Sequence, residues 1–249
     1  MSHVYSQEFF DYIDQGARAS AKRLISVAQP WLRPESVVDF GSGRGVWLDE
    51  WRKAGVSDVC GLDGDYVDRA HLAIPKECFR AVDLTVPQDL GRRFDLAQSL
   101  EVGEHLPETA ADTLVDGLVK HADLIIFSAA VKGQGGEFHI NEQPLSYWQG
   151  KFEDRGYAAF DCLRPKLMGD RSVEPWYRYN SVLYANAAGE KRLPSDVLST
   201  RVQGRVENAG DALWRMRRTV VRVLPTSVVT AIARQRASVL ARRARSAGA

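Results

Sequence analysis

The sequence predicts an α/β protein built on a doubly wound, mostly parallel sheet, and three observations carry that prediction. Short apolar runs alternate with stretches of helical period through most of the chain, the pattern of strands joined by crossover helices. The first run, SVVDF, feeds the turn Gly41-Ser42-Gly43-Arg44-Gly45, which opens directly into a helix-period segment. The next two runs each lead to an acid, Asp63 and Asp83.

Taken in order, residues 6–29 place Phe9, Phe10, Ile13, Ala17, Ala21, Leu24 and Ile25 on one helical face, and Pro30 and Pro34 end the pattern. After the glycine turn, VWLDEWRKAG reads as a helix with Gly55 near its C-cap. VCGLDG and FRAVDLTVP supply the second and third strands. FDLAQSLEV and DLIIFSAAV are the most strand-like segments, separated by a helix from Pro107 to Lys120. The continuous apolar core of the latter predicts burial on both faces. Pro144 to Arg155 reads as a helix closed by Gly156. YAAFDCLRP and RYNSVLYAN then read as two strands with no full helix between them, which predicts an antiparallel hairpin at the sheet's edge.

At 249 residues the chain has room for one such domain and an appendage. Apolar residues make up 45% and charged residues 26%, an ordinary globular balance. Cys60, Cys78 and Cys162 are too scattered for a disulfide framework or a paired metal motif, which fits a reducing compartment. The first 20 residues carry acids and lack the basic-then-apolar order of a signal peptide. No run approaches the ~20 apolar residues that span a bilayer. A cytoplasmic location is expected. The net charge of +1 conceals an asymmetry: Ser199 to Ala249 holds eleven arginines against Glu207 and Asp211, a net +9, while the rest carries 22 basic and 30 acidic side chains, a net −8.

In open α/β sheets ligands bind at the carboxyl ends of strands, where the strand order reverses. Gly41 and Gly43 would let backbone approach a ligand there, and Gly45 would let the helix begin close to the strand; a purely structural tight turn is the competing reading. Asp63 follows Gly45 by 18 residues, where an acid can accept hydrogen bonds from ribose hydroxyls. Asp83, after the third strand, can take an exocyclic adenine amine. The third glycine comes one residue too early for a nicotinamide-binding G-x-G-x-x-G, and no Gly-Lys-Ser/Thr follows, which excludes Walker A.

VVDFGSGRG, GLDGD, AVDLT and SLEVGEHLP, in this order, resemble the class I S-adenosylmethionine-dependent methyltransferases over roughly residues 35–186. The last segment is similar to the E-V-x-E-H-L of the ubiquinone-biosynthesis type. The resemblance implies a seven-stranded, Rossmann-like methyltransferase fold with S-adenosyl-L-methionine as cofactor. It implies that Asp39 and the loop Gly41, Ser42, Gly43 and Gly45 flank the methionine portion, that Asp63 and Gly64 meet the ribose, that Asp83 and Leu84 hold adenine, and that Ser99 and Leu100 line the cofactor beneath the reacting methyl. A weaker resemblance, in H-I-N-E-Q…Y-W and Trp176 to Asn180, is to methyltransferase-domain proteins encoded among bacterial cell-surface polysaccharide genes.

An alcohol acceptor needs a base or a metal to take its proton. His139, in the glycine-flanked loop KGQGGEFHINEQPLSYW, is the choice for base, since imidazole titrates near pH ~6.5; a loop histidine bonded to backbone is its alternative. His105 and Glu101 are further catalytic candidates, with capping or packing as the alternative for His105, while Glu104 and Glu108 suit the positive end of a helix dipole. Glu101, His105, Glu137 and His139 could converge on a divalent ion, but no short-spaced ligand motif supports one, and no metal is assigned. A saccharide or glycan hydroxyl is the expected acceptor, with Tyr147, Trp148, Trp176 and Tyr177 as flat faces and Glu137, Asn141 and Arg178 as polar contacts; core packing is the alternative for each aromatic. A small aromatic, quinone-like or lipid acceptor is the second reading, and a non-catalytic scaffold the third.

The methyltransferase-like domain is expected over residues 1–190 and a basic helical extension over 195–246. In the extension Val202, Val206, Ala209, Leu213, Met216, Val220 and Val223 follow a heptad seam, continued more weakly by Val228, Ile232, Gln235 and Val239. The seam predicts a homo-oligomer or packing on the acidic body; peripheral contact with an anionic membrane is the alternative. No basic-aromatic face suggests nucleic acid.

Overall fold

The computed structural model describes residues 7–225, 228–232 and 235. Its seven strands are β1 Ser36–Phe40, β2 Asp58–Asp63, β3 Phe79–Ala81, β4 Leu96–Leu100, β5 Leu124–Ser128, β6 Ala158–Phe160 and β7 Val182–Ala185. They form one sheet in the order β3-β2-β1-β4-β5-β7-β6. β1 to β5 pair in parallel, and β7 runs antiparallel between β5 and β6. The seven-stranded, mostly parallel sheet expected from the sequence is present. Its order reverses between β1 and β4, so the loops after those two strands part and leave a crevice.

Helices α1 Gln7–Ala28, α2 Val46–Lys53, α3 Ala111–His121 and α4 Leu145–Glu153 stand where the apolar period put them. The face of α1 carrying Ala17, Ala21, Leu24, Ile25 and Ala28 is buried; the side chains of Phe9, Phe10 and Ile13 lie outside what is described. Across the exposed rim, Arg18 of α1 reaches Asp49 and Glu50 of α2 at 2.5 and 2.6 Å. Apolar side chains pack on both sides of the sheet, with α1 and α2 over one face and α3 and α4 over the other.

The antiparallel edge expected of the last two strands is present, but the connection between them is longer than predicted. Two short helices, α5 Arg164–Leu167 and α6 Pro175–Asn180, separate β6 from β7. Pro165 and Pro175 sit in their first turns, where a missing N–H leaves nothing unsatisfied. Residues read as the start of a strand, Arg178 to Asn180, are thereby turned into a buried helix.

The heptad seam is also corrected. After α7 Ala187–Glu190 and α8 Ser195–Leu198, the chain bridges Arg201 to Phe160 of β6 and runs without helix to residue 210. Leu193, Val197 and Val206 are in the body's cores, and the Val206 N–H donates to Gln149 Oε1 at 2.5 Å. Gly204 and Gly210, at φ 90° and 148°, break any continuous helix here. Val202, Val206 and Ala209 are therefore not seam positions. Helix α9 is only Ala212–Val221, and the extension leaves the body nearer residue 210 than 195. Val228 and Ile232 are helical again, while Val239 lies outside the described residues.

Candidate functional site

The turn after β1 is held by backbone. Gly41, Gly43 and Gly45 have φ of 88°, 54° and 79°, and the N–H groups of Gly41 and Ser42 donate to Leu62 O of β2 at 2.7 and 3.0 Å. A Cβ on Gly41 would stand 2.2 Å from Val102 Cγ2. Glycine is therefore required at that position twice over, by conformation and by space. The Ser42 side chain is buried against Gly61.

Two buried acids flank the turn. Asp39 receives a hydrogen bond from Gln98 Nε2 at 2.9 Å, and Gln98 Oε1 in turn accepts from Trp51 Nε1 at 2.8 Å. Burial pushes the Asp39 carboxyl up to about 7, against the Gln98 bond and with help from the charge of Asp63. Asp63, at the end of β2, accepts from Gly43 N–H at 2.6 Å, from Gly64 N–H at 2.7 Å and from the Tyr66 hydroxyl. Burial still raises it above the ordinary carboxylate range. The Tyr66 hydroxyl is a donor of the type a ribose diol offers. Asp83 is exposed and accepts from both the N–H and the hydroxyl of Thr85 through Oδ1, closing its own turn, while Leu84 is buried. Ser99 spends its hydroxyl on Phe40 O at 2.8 Å, tying β4 to β1, and Leu100 is buried beside it.

A second cluster forms beyond β4 and β5. Glu101 has the left-handed φ of 58° that a non-glycine residue rarely adopts. Its N–H reaches Ser128 O of β5 at 3.0 Å, and its carboxylate accepts from Gln134 Nε2 at 2.5 Å. Asn180 of α6 closes this network through Nδ2 to Gln134 Oε1 at 2.9 Å. Burial raises Glu101. Glu104 is fully buried, neither of its oxygens has a hydrogen bond of normal geometry, and burial plus the neighbouring Glu101 hold it well above the carboxylate range. Glu104 therefore does not serve a helix dipole as its position suggested.

The imidazoles of His105 and His139 meet edge to face with centroids 4.9 Å apart. Burial, then the charge of His139, lowers His105 to about 3, and its Nδ1 has no partner. His139 Nδ1 faces Glu142 Oε1 at 2.8 Å, so that nitrogen donates to the carboxylate. Glu142 is in turn fixed by the N–H groups of Gly133 and Gly135 at 2.8 and 2.7 Å. Burial would raise it, but His139 and these two donors bring it below the ordinary range. One ligand atom from each of Glu104, His105 and His139 lies within 4.8 Å of the others. The convergence expected of Glu101, His105, Glu137 and His139 thus substitutes Glu104 for Glu101 and Glu137. A cavity of ≈ 320 Å³ adjoins His139 and Glu142, with Ile140, Val221, Leu224 and Val229 on its apolar side.

The residues expected to hold a sugar are scattered. Trp148 is fully buried against Phe127, and a Cβ on Gly103 would collide with its ring. Tyr147 lies under Lys151, whose Nζ is 4.9 Å from its centroid and which pairs with Asp112 of α3. Arg178 donates to Asp170 O at 3.1 Å and stacks on Tyr179. Asn141 is buried, its amide at 3.3 Å from Gly103 O and its oxygen accepting from Gln143. Glu137 is half-buried on the loop. Trp176 and Tyr177 do face inward: Tyr177 meets Trp47 of α2 edge-on at 4.9 Å, and its phenol, raised by burial, feels both Glu101 and Asp39. Tyr177 thus joins the two clusters. Of the clustered residues Gln134 is the one the sequence did not single out; Glu104, Glu142 and Asn180 stood among its polar candidates, and the structure places them in this cluster.

Residues 11–124 match the family model described as a methyltransferase domain. The ubiquinone biosynthesis O-methyltransferase of Neisseria meningitidis serogroup C (strain 053442) is 30% identical over 127 residues, or 47% of this chain and 48% of its own. The chain therefore matches about half the length of that relative. Among solved structures, an O-methyltransferase family protein from Burkholderia thailandensis has a TM-score of 0.52 at 14% identity, covering 71% of this chain and 59% of its own. Magnesium protoporphyrin IX methyltransferase from Synechocystis PCC 6803, with bound S-adenosylmethionine, has a TM-score of 0.50 at 19% identity, covering 75% and 87%. Likeness at these identities concerns the fold. Residues 11–124 thus match a methyltransferase domain, and the sheet they enter resembles that of solved methyltransferases.

Proposed function

We propose that this chain transfers a methyl group from S-adenosylmethionine to a hydroxyl oxygen of its acceptor, with His139 receiving the hydroxyl proton. The observation that carries the reading is the His139–Glu142 pair beside a cavity: Glu142, held by two backbone N–H groups, fixes the imidazole so that Nε2 is the basic atom. Methyl transfer from a sulfonium is an in-line displacement, so the rest of the site's work is alignment. Asp39, the glycine turn and Asp63 bind the donor, and Tyr177 and Glu101 define the boundary between donor and acceptor.

The Glu104, His105 and His139 donor set also fits a divalent cation, since both Glu104 oxygens and His105 Nδ1 are buried without partners. Such an ion would lower the pKa of a coordinated hydroxyl. His139 is needed in either case, and Glu142 orients it in either case.

A saccharide acceptor draws support from the resemblance of H-I-N-E-Q…Y-W, but Trp148 and Tyr147 are not at the cavity. Ile140, Val221, Leu224 and Val229 line the cavity beside Lys132 and Arg222, so it also suits a hydroxyl borne on a partly apolar body, of the aromatic, quinone-like or lipid-linked kind. His139→Ala is expected to leave S-adenosylmethionine binding intact by calorimetry while lowering turnover by roughly 100-fold or more. Unchanged turnover would remove His139 from the reaction. Loss of activity with a chelator, restored by Zn2+ or Mn2+, would assign the three-residue cluster to a metal.

A further inference from the structure

Helix α9 is bonded to the body by one face and leaves the opposite face bare. Trp214 packs on Tyr179, Arg217 donates to Gln134 O at 2.6 Å and Arg218 to Lys132 O at 3.3 Å. A Cβ on Gly135 would touch Val221 and Val229. The helix thus lies on the glycine-rich loop that carries Glu142's donors. On its outer side Leu213, Met216 and Val220 are 70%, 60% and 55% exposed, and Val223, just beyond, is 79% exposed. Their spacing of three, four and three residues is a single helical stripe. Val228 and Ile232 add exposed apolar surface beyond Pro225. Arg215 is exposed on the outer part of the helix, while Arg222 turns back over Gly133 at the cavity's edge.

We propose that this arm docks on an anionic membrane surface, with the Leu213–Met216–Val220–Val223 stripe entering the headgroup region and the arginines meeting lipid phosphates. Charge decides the occupant. The segment from Ser199 has a net +9 with no lysine, and the rest a net −8, so the molecule is a dipole that an anionic surface orients arm-down. Two arms packed stripe to stripe across a twofold axis would bring like charges together. Val221, Leu224 and Val229 line the cavity beside His139 from the arm's side, so docking would set the cavity close to the lipid. The inference stands apart from the methyl-transfer reading, and its test needs no substrate.

The test is co-sedimentation of the full chain with phosphatidylcholine vesicles, with and without roughly 30% phosphatidylglycerol. The expected result is at least ~10-fold more protein on the anionic vesicles, lost as added salt screens the charges. Leu213→Glu combined with Val220→Glu should lower that binding about 10-fold while leaving the melting temperature and S-adenosylmethionine affinity unchanged. Arg215→Glu should weaken binding with the stripe intact. Equal binding to both vesicle types, or stripe variants that bind as well as the native chain, overturns the proposal. So does light scattering showing a dimer that the stripe variants convert to a monomer, since a second copy then covers the face.

Discussion

The donor end and the acceptor end of this crevice are built from different materials. At the donor end, backbone does the work: three left-handed glycines, two N–H groups tied to Leu62 O, and Asp63 collecting Gly43 and Gly64 N–H. At the acceptor end, side chains from β4's tip, the 131–142 loop and α6 meet, with α9 laid across the loop. A backbone cradle suits a ligand that never varies, because main-chain geometry cannot be retuned by substitution. A side-chain cluster assembled from four distant segments can be changed one residue at a time. One architecture can therefore keep its methyl donor and exchange its acceptor.

The largest expected effect tests the backbone half of this contrast. Gly41→Ala places a methyl 2.2 Å from Val102 Cγ2 on a backbone at φ 88°. Calorimetry should show S-adenosylmethionine affinity reduced by roughly 100-fold, the equivalent of about 3 kcal/mol. Adding Val102→Ala relieves the collision but not the dihedral, so it should recover only part of the loss. Complete recovery would mean that space rather than conformation demands glycine there.

The same contrast explains what could be read from the sequence. A backbone cradle must be written in glycines and strand-end acids at fixed separations, so Gly41, Gly43, Gly45, Asp39 and Asp63 were readable, as were the sheet and α1 to α4. Side-chain clusters assembled over long range carry no such spacing. Gln134 and Asn180 meet Glu101 only because α6 folds back over β4, and α6 itself was hidden because Arg178 to Asn180 runs into β7 without a break. Trp148 was misread because an aromatic next to a polar loop looks the same in sequence whether it faces the cavity or Phe127. In the extension, apolar residues at heptad spacing were real, but Val206 satisfies its burial in the body's core, which a period alone cannot reveal.

A smaller effect tests whether the donor end is strained by its buried acid. Asp39→Asn keeps the shape and the Gln98 contact but removes the charge. Affinity for S-adenosylmethionine should fall about 10-fold, the loss of one charge-assisted hydrogen bond. The free protein should gain stability, in a pH-dependent way. The folded-state carboxyl titrates at about 7 against 3.8 unperturbed, so its contribution to stability is present below the unfolded value and lost as pH rises to the folded one. The difference in melting temperature between variant and native chain should therefore be near zero at pH 4, grow through pH 7 and then level off. A difference that does not change across that range would mean the carboxyl is not burdened by burial.

The smallest expected effect bears on the acceptor end. Tyr147 was a natural candidate to stack on a sugar, yet its ring lies under Lys151, and Lys151 is paired with Asp112 on the far helix α3. Tyr147→Ala removes a half-buried ring and a cation–π contact of about 0.5–1 kcal/mol, which should lower the melting temperature slightly. Turnover and acceptor KM should stay within about twofold of native, since no part of the ring reaches the cavity beside His139. A tenfold rise in KM with turnover unchanged would instead place acceptor binding on the α3–α4 surface. The acceptor would then extend well past the cavity, as a glycan chain does, and the side-chain half of the crevice would be larger than the cluster around Glu101, Glu104 and His139.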